Sequence, residues 1–175
     1  MKPILITTCG AGGGINGPNY VYPLLSLPTY DILMCDTFPN NLEMNIGYML
    51  AKVEECEKRG YREIILMGWS MGGATIINVA YHMKYTFLKD VVKGLILLAT
   101  QEYKTENLFK LDCPVLFIHG IKDTTLPYQI TVDLHHKYPH RKNMIILKHQ
   151  GHQFSGRSKE FADFLTSEII NFFGS

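Results

Sequence analysis

Ser70 stands in the hexapeptide GWSMGG, Gly68 to Gly73, between the apolar run EIILM and the stretch ATIINVAYHM, which reads as a helix. A serine hydroxyl is a poor nucleophile unless a base takes its proton, and the base needs a third group to orient it. The chain offers candidates for both. The segment HGIKDTTLP carries Asp123 in a turn after an apolar run, and KHQGHQFSG carries His149 and His152 after another. A hydroxyl, an imidazole and a carboxylate brought together would support acyl transfer through a covalent intermediate. The three glycines of the hexapeptide sharpen this reading. Glycine costs backbone entropy and adds no packing, so its density here implies a turn that side chains would obstruct.

Such chemistry needs elements that carry these segments to one place. Six short apolar runs read as strands: Pro3 to Thr8, Tyr30 to Cys35, Glu63 to Gly68, Gly94 to Ala99, Pro114 to Gly120 and Asn143 to Lys148. Their continuous apolarity suits strands buried on both faces, as in a parallel sheet. Amphipathic stretches lie between them. NNLEMNIGYMLAKVEECEKRG has an Asn cap candidate, Gly60 at its end, and Leu42, Ile46, Met49, Leu50 and Val53 at helical spacing. Pro127 suits the first position of the helix PYQITVDLHHKY. SKEFADFLTSEIINFF places Ser158, Phe161, Phe164, Leu165 and Ile169 on one face. Strand alternating with helix predicts a single α/β domain over residues 1–175, with about six mostly parallel strands and helices on both faces. Right-handed crossovers gather the strand C-terminal ends at one edge, where ligands bind in such sheets. Ser70 lies just past the third strand, at a helix start. G-x-S-x-G in that position is a nucleophile elbow. Gly68 and Gly72 avoid collisions across the turn, Gly73 lets the helix pack closely, and the Met71 N–H at the helix N-terminus faces a developing oxyanion.

The order Ser, Asp, His along the chain, together with these motifs, resembles the α/β-hydrolases, and the resemblance covers nearly the whole chain. Members commonly carry HG-x-x-D-x-x-x-P and G-H; here these are His119, Gly120, Asp123 and Pro127, then Gly151 and His152. The resemblance implies Asp123 as triad acid and His152 as base, with His149 the fallback. Members often read HGxGG after the first strand. This chain has Cys9, Gly10, Ala11, Gly12 and Gly13 there, and the alignment implies the Ala11 N–H as second oxyanion donor. Many members insert a cap between the strands counted here as fourth and fifth. Thr100 to Cys113 is too short for one. An open, shallow site follows, walled by Trp69, Tyr20, Leu126 and Phe154, and suited to small or short-chain esters or thioesters. The chain is similar to small cap-less, dienelactone-hydrolase-like members, whose nucleophile is often cysteine. The implied activity is that of a serine hydrolase of carboxylesterase or thioesterase type, with no cofactor and no metal.

Two other classes compete. Gly12, Gly14 and Gly17 satisfy G-x-G-x-x-G, with Asp36 about 20 residues on, which is a dinucleotide-binding fingerprint. Its first glycine comes late after the strand, and Pro18 follows where a helix should run. A non-catalytic hydrolase-like binding protein is the second alternative. His135, His136 and His140 read as a solvated helix end, because Pro139 breaks the spacing a metal would need. The net charge of +1 gives no bulk field for nucleic acid or an anionic membrane. No run reaches the roughly 18 apolar residues of a membrane span. The start lacks a signal-peptide pattern, and Cys9, Cys35, Cys56 and Cys113 show no CxxC spacing. The expectation is a soluble cytoplasmic protein with free thiols, acting on a small-molecule ester or thioester.

Overall fold

The computed structural model describes residues 1–14, 21–154, 156 and 158–174. The six apolar runs are strands, each within two residues of its expected bounds: β1 Ile4–Thr8, β2 Asp31–Cys35, β3 Ile64–Trp69, β4 Val92–Leu98, β5 Val115–Gly120 and β6 Lys142–Leu147. They form one sheet of order β2-β1-β3-β4-β5-β6, and every neighbouring pair is parallel.

The helices between them are α1 Leu42–Lys58, α2 Met71–Lys84, α3 Gln129–Lys137 and α4 Lys159–Phe173. Helix α1 starts where the Asn41 side chain accepts the Met44 amide, at 3.0 Å. It stops at Gly60, whose φ of 101° is left-handed and favours a residue without Cβ. Helix α3 starts later than the sequence suggests. Its cap is Tyr128, so Pro127 precedes the helix rather than opening it. The reason is that the amides of Thr125 and Leu126 are held by Asp123 in a turn that must finish first.

Side chains alternate across the strands and divide the core in two. Ile4, Ile6, Ile64, Leu66, Leu95 and Leu97 pack under α1, α2 and α3. Leu5, Ile65, Met67, Ile96 and Leu98 pack under α4 and residues of the segment Val21 to Tyr30. Helices therefore cover both faces, unequally. Between β4 and β5 the only helical piece is a 3-10 turn, Glu106–Lys110, pinned by buried Leu108, so there is no cap domain. Cys35, Cys56 and Cys113 are free thiols. Burial pushes the thiols of Cys35 and Cys113 up to about 12, which keeps them protonated. Among the described residues no helix is long and apolar enough to cross a membrane.

The register aligns the C-terminal ends. Thr8 lies opposite Gly68, Trp69 opposite Leu98, and Gly120 opposite Leu147. The loops after β1, β3, β5 and β6 thus leave the sheet from one edge.

Candidate active site

Ser70 sits between the end of β3 and the first residue of α2, at φ 56° and ψ −117°. A non-glycine residue there is strained, by about 1–3 kcal/mol. The neighbouring glycines show what enforces it. A Cβ on Gly68 would lie 2.2 Å from the Gly72 carbonyl oxygen, and one on Gly72 would lie 2.5 Å from the Cys9 carbonyl oxygen. One on Gly73 would lie 2.1 Å from the Thr100 hydroxyl, so the helix start packs closely on the chain just after β4. The loop after β1 also presses on the turn. A Cβ on Gly10 would lie 2.8 Å from the Trp69 ring and 3.3 Å from the Ser70 Cβ. Met71 is the first residue of α2, and first-turn amides have no carbonyl four residues back to bond.

His152 and Asp123 meet at this edge. His152 Nδ1 lies 2.7 Å from Asp123 Oδ2, with the aspartate side chain fully buried and the imidazole 14% exposed. The carboxylate accepts at Nδ1, so Nδ1 carries the proton and Nε2 is left as the basic nitrogen. Trp69 ties this pair to the serine turn. Its Nε1–H donates to the His152 carbonyl at 2.7 Å, and its ring packs on the imidazole at 4.9 Å between centroids.

The carboxylate is held from four directions. Oδ1 accepts the amides of Thr125 and Leu126 at 2.9 and 2.7 Å. Oδ2 lies 2.7 Å from His152 and 3.0 Å from His119 Nε2. Burial alone would raise the Asp123 pKa. The Leu126 amide, His152 and the Thr125 amide outweigh it and hold the group below the ordinary carboxylate value. His119 is buried in β5 and its pKa is depressed, chiefly by loss of solvent. A histidine depressed in the folded state stabilises the fold fully above its unfolded pKa of about 6.5 and progressively less below it. His135 is depressed for the same leading reason and adds to the slope. The melting temperature should therefore fall as the pH drops below about 6.5. A His119→Gln variant, followed by circular dichroism, should show a shallower fall.

The remaining expected residues fall as follows. The carbonyls of Gly10 and Ala11 accept from the Thr37 hydroxyl and the Asn40 amide, which fixes the loop after β1 against that after β2. Phe154 is buried and stacks on Phe161, 4.9 Å between centroids. With Trp69 it lines a void of only about 10 Å³. Leu126 contributes its amide to Asp123 and its carbonyl to His119. Tyr20 lies outside the described residues. A wider cleft of about 640 Å³ opens beside His152, lined by polar groups including Lys122, Thr124, Thr125, His149 and Gln150. His149 thus borders the cleft, and His152 is the histidine bonded to Asp123. Sequence reading had no signal for the Trp69 indole donating to a backbone carbonyl 83 residues away.

The glycine fingerprint fares differently. Gly17 lies outside the described residues. Gly14 donates its amide to Asp36 Oδ1 at 2.7 Å, so the acid that would hold a ribose instead closes the loop. A Cβ on Gly12 would meet no atom of the described residues within 4 Å. Gly12→Ala should change stability by no more than about 0.5 kcal/mol. Gly72→Ala, against backbone oxygens, should disrupt the turn. Urea melts of the two variants compare them directly. Among the described residues no group of three His, Cys, Asp or Glu side chains is arranged to hold a metal ion.

Neither a family model nor a curated protein matches this sequence. Solved structures match its shape. Est1E from Butyrivibrio proteoclasticus is 17% identical, with 99% of this chain and 89% of that chain covered at a TM-score of 0.82. Dienelactone hydrolase from Anabaena variabilis is 14% identical over 98% of this chain and 87% of its own, at 0.79. A lipase-esterase related protein from Clostridium acetobutylicum is 17% identical over 97% and 94%, at 0.74. At such identities the likeness establishes architecture: the chain has the α/β-hydrolase fold.

Proposed function

We propose that the protein is a serine hydrolase of carboxylesterase or thioesterase type, acting on small or short-chain acyl groups, with Ser70, Asp123 and His152 as its triad. The observation that carries this reading is the 2.7 Å bond between His152 Nδ1 and Asp123, its loop tied by Trp69 to the strained turn that bears Ser70. The names of the structural neighbours, an esterase-related protein and a dienelactone hydrolase among them, agree with it.

In this mechanism His152 Nε2 takes the Ser70 proton as Oγ bonds to the substrate carbonyl carbon. The carbonyl oxygen becomes an oxyanion, held by the N–H groups of Ala11 and Met71. Asp123 fixes the imidazole tautomer and stabilises the imidazolium. The tetrahedral species collapses, and His152 gives its proton to the departing alcohol or thiol. Water then attacks the acyl-serine while His152 accepts its proton. Collapse frees the acid and returns the proton to Ser70. No step calls on a metal or cofactor.

The cavities shape the substrate expectation. The void between Trp69 and Phe154 is too small for an acyl chain, whereas the polar cleft beside His152 suits a solvated leaving group. Each methylene buried in a tunnel would raise kcat/KM about fourfold, from about 0.8 kcal/mol. We expect kcat/KM for p-nitrophenyl esters to level off after about four acyl carbons. A climb continuing to decanoate would contradict the shallow site.

The test of the reading is labelling with a fluorophosphonate, which reacts only with an activated serine. Stoichiometric adduct on Ser70, read by mass spectrometry, is the expected result. An unlabelled folded protein would favour a non-catalytic binding role.

A further inference from the structure

His119 shares the Asp123 oxygen that receives His152, and its own hydrogens are fixed by its surroundings. Its Nε2 faces two acceptors, Asp123 Oδ2 at 3.0 Å and the Leu126 carbonyl at 2.9 Å. A nitrogen between two acceptors must carry the proton. Nδ1 lies 2.7 Å from the hydroxyl of Thr131, which is buried on α3. In the neutral ring Nδ1 is then the lone-pair nitrogen and Thr131 donates to it. The ring has no exposed surface and lies one residue before the end of an otherwise apolar strand, where a leucine would pack without the desolvation an imidazole suffers.

We propose that His119, oriented by Thr131, is a positioning residue for Asp123. By donating to Oδ2 it occupies that oxygen's second lone pair, stops the carboxylate from rotating, and draws off part of the charge presented to His152. Removing the His119 donor should therefore leave Asp123 with more charge to offer the His152 imidazolium. The kinetic consequence rests on the hydrolase reading above; the effect on His152 does not.

The protein, labelled at histidine with ¹³C and ¹⁵N, tests this by NMR. Among the described residues, the titratable groups that face His152 are Asp123, to which it is bonded, and Lys122 and His149 in the cleft, and none of them is altered. In the parent, His119 should show the neutral tautomer protonated at Nε2; a proton on Nδ1 would overturn the proposal. In His119→Leu the titration midpoint of His152 should move up by roughly 0.5–1 unit. In His119→Gln, whose amide N–H replaces Nε2–H, it should stay within about 0.2 unit of the parent. With p-nitrophenyl acetate, His119→Leu should lose kcat about tenfold with KM within about twofold, and its acid limb should move with the midpoint. A folded His119→Leu with the parent's midpoint, or Gln and Leu variants that shift alike, would refute the role. If His119→Leu fails to fold, the parent tautomer and the Gln variant decide. A parent that hydrolyses no ester sinks the hydrolase reading, while the titration still decides for or against His119.

Discussion

Ser70→Ala is expected to lower kcat/KM for a p-nitrophenyl ester by roughly four to six orders of magnitude and to abolish fluorophosphonate labelling. The reason is positional. The strained turn presents one hydroxyl at the edge to which Asp123 and His152 also come, and alanine removes that hydroxyl while keeping the backbone. Stability should barely change, because the Ser70 side chain makes no cap bond to the helix it precedes. A companion variant separates chemistry from strain. Glycine adopts a φ of 56° freely, so Ser70→Gly should be equally inactive and more stable than the parent by about 1 kcal/mol. Thermal melts of parent and both variants give the comparison. Substantial hydrolysis by a folded Ser70→Ala protein would remove the central claim.

Asp123→Asn should damage both activity and fold. Each carboxylate oxygen faces two N–H groups: Thr125 and Leu126 at Oδ1, His152 and His119 at Oδ2. An asparagine has one oxygen and one NH₂, so either flip leaves two donors facing a donor. If the amide nitrogen faces the histidines, His152 loses the acceptor that fixes its tautomer, and turnover should fall about 10⁴-fold. If it faces the loop, the turn before α3 loses both anchors. The expected stability loss is about 2–4 kcal/mol, since buried donors are left unmade. Urea unfolding and steady-state kinetics on the same preparation test both. A variant that keeps parental stability and turnover would contradict the four-bond arrangement.

The parts of the molecule legible from residue order were those set by local rules. The strands showed as unbroken apolar runs because both faces of the sheet are covered. The serine turn showed because Gly68 and Gly72 cannot carry a Cβ against backbone oxygen. What stayed hidden depended on partners far along the chain or on backbone atoms. Trp69 suggested an apolar wall, yet its indole N–H holds the carbonyl of His152. Leu126 suggested another, yet its amide and carbonyl engage Asp123 and His119. His119 was one letter of a motif, and nothing in spacing says that its imidazole meets the same carboxylate oxygen as His152. The delayed start of α3 followed from Asp123 holding two amides, a tertiary demand that overrode the proline signal.

The uneven covering of the sheet governs how the chain can assemble. After β3 each new strand adds beside the last, so the sheet grows one way as the polypeptide emerges from the ribosome, and α1 and α2 can roof one face early. The other face has only residues of the segment Val21 to Tyr30 until later. Leu5, Ile65, Met67, Ile96 and Leu98 find Phe161, Leu165 and Ile169 only when the last helix has been made. A nascent or prematurely terminated chain therefore presents a broad apolar sheet surface, a natural target for chaperones and a seed for aggregation. The same helix holds Phe161 against Phe154, two residues beyond His152. The loop that bears the imidazole is thus among the last to settle, and a ribosome-released chain would gain its ordered edge only at the end of folding.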